Sequence, residues 1–327
     1  MKAPENQPLL FPEEYIHPTY GVHNPPRYSP CAHHDCLYPR SSAEPSDPLY
    51  PKYWSAKWTM YIVSQNYQNH LPPYDGAPPA ELIEGKDYTV SYGETYYDST
   101  WRGPNGEEGA MMELYKKVSL PIFPTENKYT SAFISLGDKA YYLTFDDKPA
   151  DIDLPPICLM SPVNHPPRRD FIKHLPYSEG DSARLNGQIQ GYSLWADANG
   201  GPPIQTGASP DRTGEGILFG YAFRSYEEPD AHDKSAPPYR HPHSFYFSGF
   251  PFPPVSAPIV SQYYTEFSMK QPDPAETWDL VARHANGKVI PPRYLFNGFG
   301  KKKQAKLANS SQGDSDKAML WTGKREG

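Results

Sequence analysis

Tyr129-Thr130-Ser131-Ala132-Phe133-Ile134-Ser135-Leu136, then Gly137-Asp138, then Lys139-Ala140-Tyr141-Tyr142-Leu143-Thr144-Phe145, is the stretch on which the fold turns. Two runs rich in aromatic and β-branched residues flank a Gly-Asp pair. Glycine and aspartate tolerate the positive φ of a tight two-residue turn, so the stretch predicts a β-hairpin. The same pattern recurs on both sides. Toward the N-terminus, residues 111–118 face residues 88–97 across Gly103-Pro104-Asn105-Gly106, which is turn chemistry. Residues 53–63, with Trp54, Trp58, Tyr61 and Val63, read as the opening strand. Toward the C-terminus, residues 187–195, 217–224, 245–252 and 259–269 read as further strands.

Composition agrees. Of 327 residues, 40 are proline and 26 are tyrosine. Proline removes a backbone donor and ends helices, while tyrosine suits a pleated, half-buried surface. The predicted class is therefore all-β with minor helix: a strongly curved antiparallel half-barrel with a concave hydrophobic cavity. Pro155-Pro156 opens a loop, residues 168–175 read as a short helix or an extended segment, and residues 226–243 read as a polar excursion. Asp273 and Pro274 start a short capped helix. The division expected is a Pro/Tyr-rich arm at 1–50, one β domain at 51–300 and a polar tail at 301–327.

A net charge of −7 opposes nonspecific binding to nucleic acid or to an anionic membrane. No apolar stretch reaches bilayer-spanning length. The first residues lack the apolar core of a signal peptide. Three cysteines, Cys31, Cys36 and Cys158, make no disulfide framework. These features lead to the expectation of a cytoplasmic protein, whose open sheet edges suit pairing in a homodimer.

Three features together resemble the lipoprotein-carrier (LolA-like) superfamily: the Trp-rich run Trp54-Ser55-Ala56-Lys57-Trp58-Thr59-Met60-Tyr61, the pair Tyr97-Asp98 some fifteen residues before Glu113, and the late run Leu185-Asn186-Gly187-Gln188-Ile189-Gln190-Gly191-Tyr192-Ser193-Leu194-Trp195 with the Pro272-Asp273-Pro274 corner. That superfamily includes ependymin-related proteins, the violacein-type indole-rearranging enzymes and the scytonemin-pathway cyclases. The absence of paired cysteines is closer to the enzymes. The resemblance implies a half-barrel around a hydrophobic hollow. It also implies cofactor-free cyclisation or rearrangement of an indolic or phenolic keto-acid-derived molecule, with or without decarboxylation. The alternatives are a carrier or sensor of a hydrophobic small molecule, and an interaction protein that uses its Pro/Tyr-rich arm.

Glu113 is the sharpest candidate. If Met112, Leu114 and Val118 share one face, Glu113 and Tyr115 point to the other. A carboxyl group among aromatics is desolvated, its pKa rises, and it becomes suited to acid–base work. The competing arrangement turns Glu113 to solvent beside Lys116. Asp98 is the second candidate acid. Trp58, Tyr61, Tyr97, Tyr115 and Trp195 are candidate ring clamps. His165, Arg168 and Arg169 form a polar cluster suited to a substrate carboxylate. Cys31, His33, His34 and Cys36 are too tightly spaced for all four to reach one tetrahedral ion, although three could; with no second Cys/His pair at finger-like distance, no metal is expected. His241 and His243, two apart, face the same way in extended chain. No phosphate-binding glycine loop or nucleophile elbow occurs, so no cofactor is expected.

Overall fold

Period-two alternation in the opening strand sets the two faces of the sheet. In β1 (Tyr53–Val63), Trp54, Ala56, Trp58 and Met60 lie on one face, and Tyr61 and Val63 lie on the other. The structure, a computed structural model, describes residues 41–63, 72–117, 129–150, 152, 154–161, 166–185, 187–197, 204–205, 216–229, 234–235, 238–248, 259–290 and 292–294. From β1 the chain runs as a meander through β2 (Tyr88–Arg102), β3 (Glu108–Lys116), β4 (Ser131–Leu136), β5 (Lys139–Thr144) and β6 (Ile157–Ser161). A second arm holds β7 (Tyr177–Ser178), β8 (Ile189–Asp197), β9 (Ile204–Gln205), β10 (Gly216–Arg224), β11 (Pro242–Ser248) and β12 (Ile259–Ser268). The short β13 (Pro292–Tyr294) lies parallel to β6, whereas the other paired strands are antiparallel.

The strand order is β13-β6-β5-β4-β3-β2-β1-β12-β11-β10-β8-β7, with β9 beside β8. The two end strands do not meet, so the sheet is open. Its curvature follows from how the faces pack. On one face, Trp54, Tyr97, Tyr115 and Tyr142 of the first arm share a single cluster with Tyr192, Tyr221, Phe223 and Phe245 of the second. Tyr50, Phe171, Ile172 and Leu175 belong to the same cluster. On the other face the buried residues divide into two separate clusters, one around Met112, Ile134 and Trp278 and one around Tyr61, Tyr74 and Tyr246. The face whose distant strands converge is the concave one.

Several elements follow the sequence reading and others depart from it. The hairpin expected at Gly137-Asp138 forms, with Leu136 opposite Lys139 and Gly137 at φ +54°. Strand β2 extends to Arg102, because an irregularity between Asp98 and Arg102 lets pairing with β3 resume. Residues 157–161, read as loop after two prolines, form β6; proline is tolerated just before a strand. Residues 168–175 contain a 3₁₀ turn at Phe171–His174. Asp273 does cap its segment, its Oδ1 accepting from Ala275 N at 2.9 Å. That segment is a 3₁₀ turn, Pro274–Glu276, followed by the separate helix α2, Leu280–Ala285, after α1 at Glu179–Arg184. Six residues without an apolar period gave α1 no sequence signal.

Candidate functional site

Glu113 stands at the centre of β3 on the concave face. The strand alternates as its pattern demands: Met111 and Tyr115 join the aromatic cluster, and Ala110 and Met112 join the opposite one. Across the sheet Glu113 is level with Thr95 of β2 and Phe133 of β4. Its side chain is fully buried. The Tyr115 hydroxyl donates to Glu113 Oε2 at 2.7 Å. Burial pushes the carboxyl from an ordinary 4.5 up to about 7, against the downward pull of the Tyr115 hydrogen bond and the nearby Gln262 amide. At neutral pH the group therefore divides between acid and base.

Phenols surround it. Burial raises the hydroxyls of Tyr50, Tyr115, Tyr221 and Tyr264 well above their ordinary value, and the nearby Glu113 charge raises them further. They stay protonated, and Tyr115 donates to Glu113. Trp58 is brought close by a specific device. It lies opposite Gly93 in β2, and a Cβ there would fall 2.1 Å from the indole ring and 2.2 Å from the Leu114 carbonyl oxygen. Only glycine lets the indole lie flat across the strand. The ring then meets Tyr115 edge-on, with centroids 5.3 Å apart. The buried indole N–H groups of Trp54 and Trp58 have no acceptor among the described residues.

Tyr50 fills the hollow between the two arms. Its ring meets Phe171 at 4.7 Å, Trp54 at 5.1 Å, Tyr97 at 5.4 Å and Phe223 at 5.8 Å. Arg169 holds its backbone: Tyr50 N donates to Arg169 O at 3.0 Å, and Arg169 Nε donates to Tyr50 O at 2.7 Å. A few residues earlier, the buried Arg240 donates through Nη1 to Ser46 O at 2.7 Å and through Nη2 to Glu227 Oε1 at 2.6 Å. Residues 46–50 thus form a strap across the concave side, tied at both ends by arginine.

The structure brings together Glu113, Tyr115, Trp58 and Tyr97 on this face and separates other candidates from them. Tyr61 is odd-numbered in β1, three residues from Trp58, and so faces the convex side, where its hydroxyl donates to Gly76 O. Asp98 neighbours Tyr97 and for the same reason points away. Its Oδ1 accepts from Thr100 N and Oγ1 at 2.7 and 2.6 Å, and its Oδ2 accepts from Gln271 Nε2 at 3.0 Å. It braces the strand irregularity and does not meet Glu113. Tyr97 donates to Pro167 O at 2.7 Å. Arg168 is exposed and lines, with Tyr97, Glu108, Pro167, Arg169 and Asp170, a cleft of about 320 Å³. Trp195 belongs to β8, but its side chain lies outside the described residues, as do His165 and the whole of Cys31 to Cys36. His241 and His243 diverge. A register shift in β11 opposite Ala222 and Phe223 breaks the alternation, so His241 packs on Phe267 at 4.2 Å while His243 packs edge-on to Tyr263 at 5.0 Å.

Sequence reasoning missed Tyr50, Gly93, Gln262 and Tyr264. The Trp58–Gly93 pairing was available from aligning the alternation of β1 and β2. Tyr50 and Gln262 carried no local signal, because they reach Glu113 only through long-range folding. Among the described residues no group of three metal-ligating side chains occurs, and no helix is long and apolar enough to cross a membrane.

No family model matches the chain, and no curated protein matches it. A crystal structure of a LolA-superfamily protein from Nitrosomonas europaea is similar over 70% of this chain and 91% of that one, at 9% sequence identity and a TM-score of 0.29.

Proposed function

We propose that the chain is a cofactor-free enzyme that binds an aromatic, carboxylate-bearing small molecule on the concave face, with Glu113 moving a proton on it. One observation carries this reading: a carboxyl group lies fully buried among phenols at the centre of the sheet, and that burial raises its pKa. Keeping such a group uncharged in the interior has no packing benefit that a leucine would not exceed. The strap describes the ligand. Tyr50 offers a phenol ring clamped by four aromatics and a carbonyl oxygen gripped by Arg169. An aromatic keto acid presents the same pairing of ring and oxygen acceptor, and it takes the volume of the Tyr50 ring when the strap lifts. The reaction class is proton transfer next to a carbonyl, leading to rearrangement or cyclisation.

The carrier reading is favoured by the ring lining itself, which holds a flat ligand without any proton transfer. One experiment separates the two. Indole-3-pyruvate and 4-hydroxyphenylpyruvate are incubated with the protein in deuterated buffer, and exchange at the side-chain methylene is followed by NMR. Binding is followed by quenching of tryptophan fluorescence. The enzyme reading expects accelerated exchange, reduced about 100-fold or more in Glu113→Gln with affinity retained. Binding without acceleration supports the carrier. Failure of both acids to bind removes both readings.

A further inference from the structure

On the convex face, His243 lies in the irregular stretch of β11 and is fully buried. Its Nδ1 is 3.0 Å from Ser244 Oγ, and its Nε2 has no hydrogen-bond partner among the described residues. A buried ring nitrogen without a protein partner is costly unless water or a ligand meets it. Arg224 and Tyr263 stand beside it. Tyr263 meets the imidazole edge-on at 5.0 Å, and Arg224 Nη2 donates to the Tyr263 hydroxyl at 3.0 Å. The guanidinium carbon lies 6.0 Å from the Tyr263 ring centre. Arg224 has no carboxylate partner among the described residues. Arg224 and Tyr263 are partly exposed, so the arginine end of the group meets solvent while His243 lies beneath it.

From this we infer that Arg224, Tyr263 and His243 form a binding site for a small oxyanion, a carboxylate or a phosphate, separate from the concave face. The donor arithmetic supports it. Taking the Ser244 hydroxyl as donor to Nδ1 across their 3.0 Å contact puts the proton of the neutral imidazole on Nε2. Because Tyr263 accepts from Arg224, its own proton is directed elsewhere. The remaining guanidinium N–H groups complete a set made of donors alone. Burial, then the neighbouring Arg224 charge, holds the His243 pKa down at about 3, so the ring stays neutral throughout the physiological range. Such a set has nothing to offer a cation and matches the lone pairs of an oxyanion.

The test uses the full chain with ¹⁵N-labelled histidine. His243 is assigned from the spectrum of His243→Gln, and sodium phosphate and sodium acetate are titrated separately at constant ionic strength. The expected result is an Nε2-protonated imidazole whose resonances shift saturably with one or both anions, and the anion that acts identifies the chemical source. Arg224→Gln weakens binding tenfold or more. Tyr263→Phe, which keeps the ring packing, weakens it severalfold and serves if the arginine variant does not fold. An Nδ1-protonated ring, no saturable shift with either anion, or unchanged affinity in both variants overturns the inference.

Discussion

Replacing Glu113 by glutamine changes how stability depends on pH, and the size of the change follows from the site. In the folded protein the carboxyl has been moved from an ordinary 4.5 up to about 7 by burial. At about 1.4 kcal/mol per tenfold change in proton affinity, this corresponds to ~3 kcal/mol. An acid whose pKa is higher when folded holds its proton more tightly in the native state. Its contribution to stability is fully present below about 4.5 and is lost as pH rises through about 7. Glutamine keeps the shape and the neutral charge at every pH. The wild type and Glu113→Gln should therefore be close in stability at pH 4.5, and the variant should gain ~3 kcal/mol relative to wild type by pH 8. Urea unfolding of both proteins at pH 4.5, 6, 7 and 8, followed by tryptophan fluorescence, measures the difference directly. A gap that changes by less than about 1 kcal/mol across this range would refute the argument. It would mean that the carboxyl is hydrated in the native state and does not have the buried environment that the proposed chemistry requires.

Two further outcomes follow from the packing. Gly93→Ala puts a methyl group into the Trp58 ring and the Leu114 carbonyl, and the backbone atom cannot move aside; a loss of about 3 kcal/mol and a changed near-ultraviolet tryptophan signal are expected, and a neutral substitution would show that the indole does not lie across the strand. Arg240→Ala releases Ser46 and Glu227 at one end of the strap. It should cost about 1–3 kcal/mol and raise amide exchange selectively in residues 46–50, whereas uniform exchange across the sheet would argue against a separately anchored strap.

Local chemistry made the sheet legible. Alternation in residues 53–63 and the Gly137-Asp138 turn were readable because each strand there has a complete signal of its own. Glu113 could be assigned a face for the same reason, since its neighbours Met112 and Leu114 fixed the parity of the strand. Tyr61 and Asp98 were grouped with Trp58 and Tyr97 by the resemblance, although the period of two in a strand already separates residues three or one apart. What stayed hidden depends on contacts distant in sequence. Tyr50 is held by a residue 119 positions away, and Ser46 by one 194 positions away. No window on the chain contains both partners. The divergence of His241 and His243 had a trace in Pro242 between them, since a proline cannot donate to the ladder and marks an edge, a strand start or a bulge.

The pairing of β1 with β12 bears on how the protein is made. Val63 sits opposite Ile259, so the middle of the sheet joins segments that leave the ribosome far apart in time. The meander through β6 can zip up as it emerges, each strand against the last. One side of β1, however, remains an open edge next to Trp54 and Trp58 until nearly all of the second arm has been translated. A nascent chain stopped before β12 therefore displays a sticky, aromatic strand margin. For this protein the hazard of premature self-association is concentrated in that interval of synthesis.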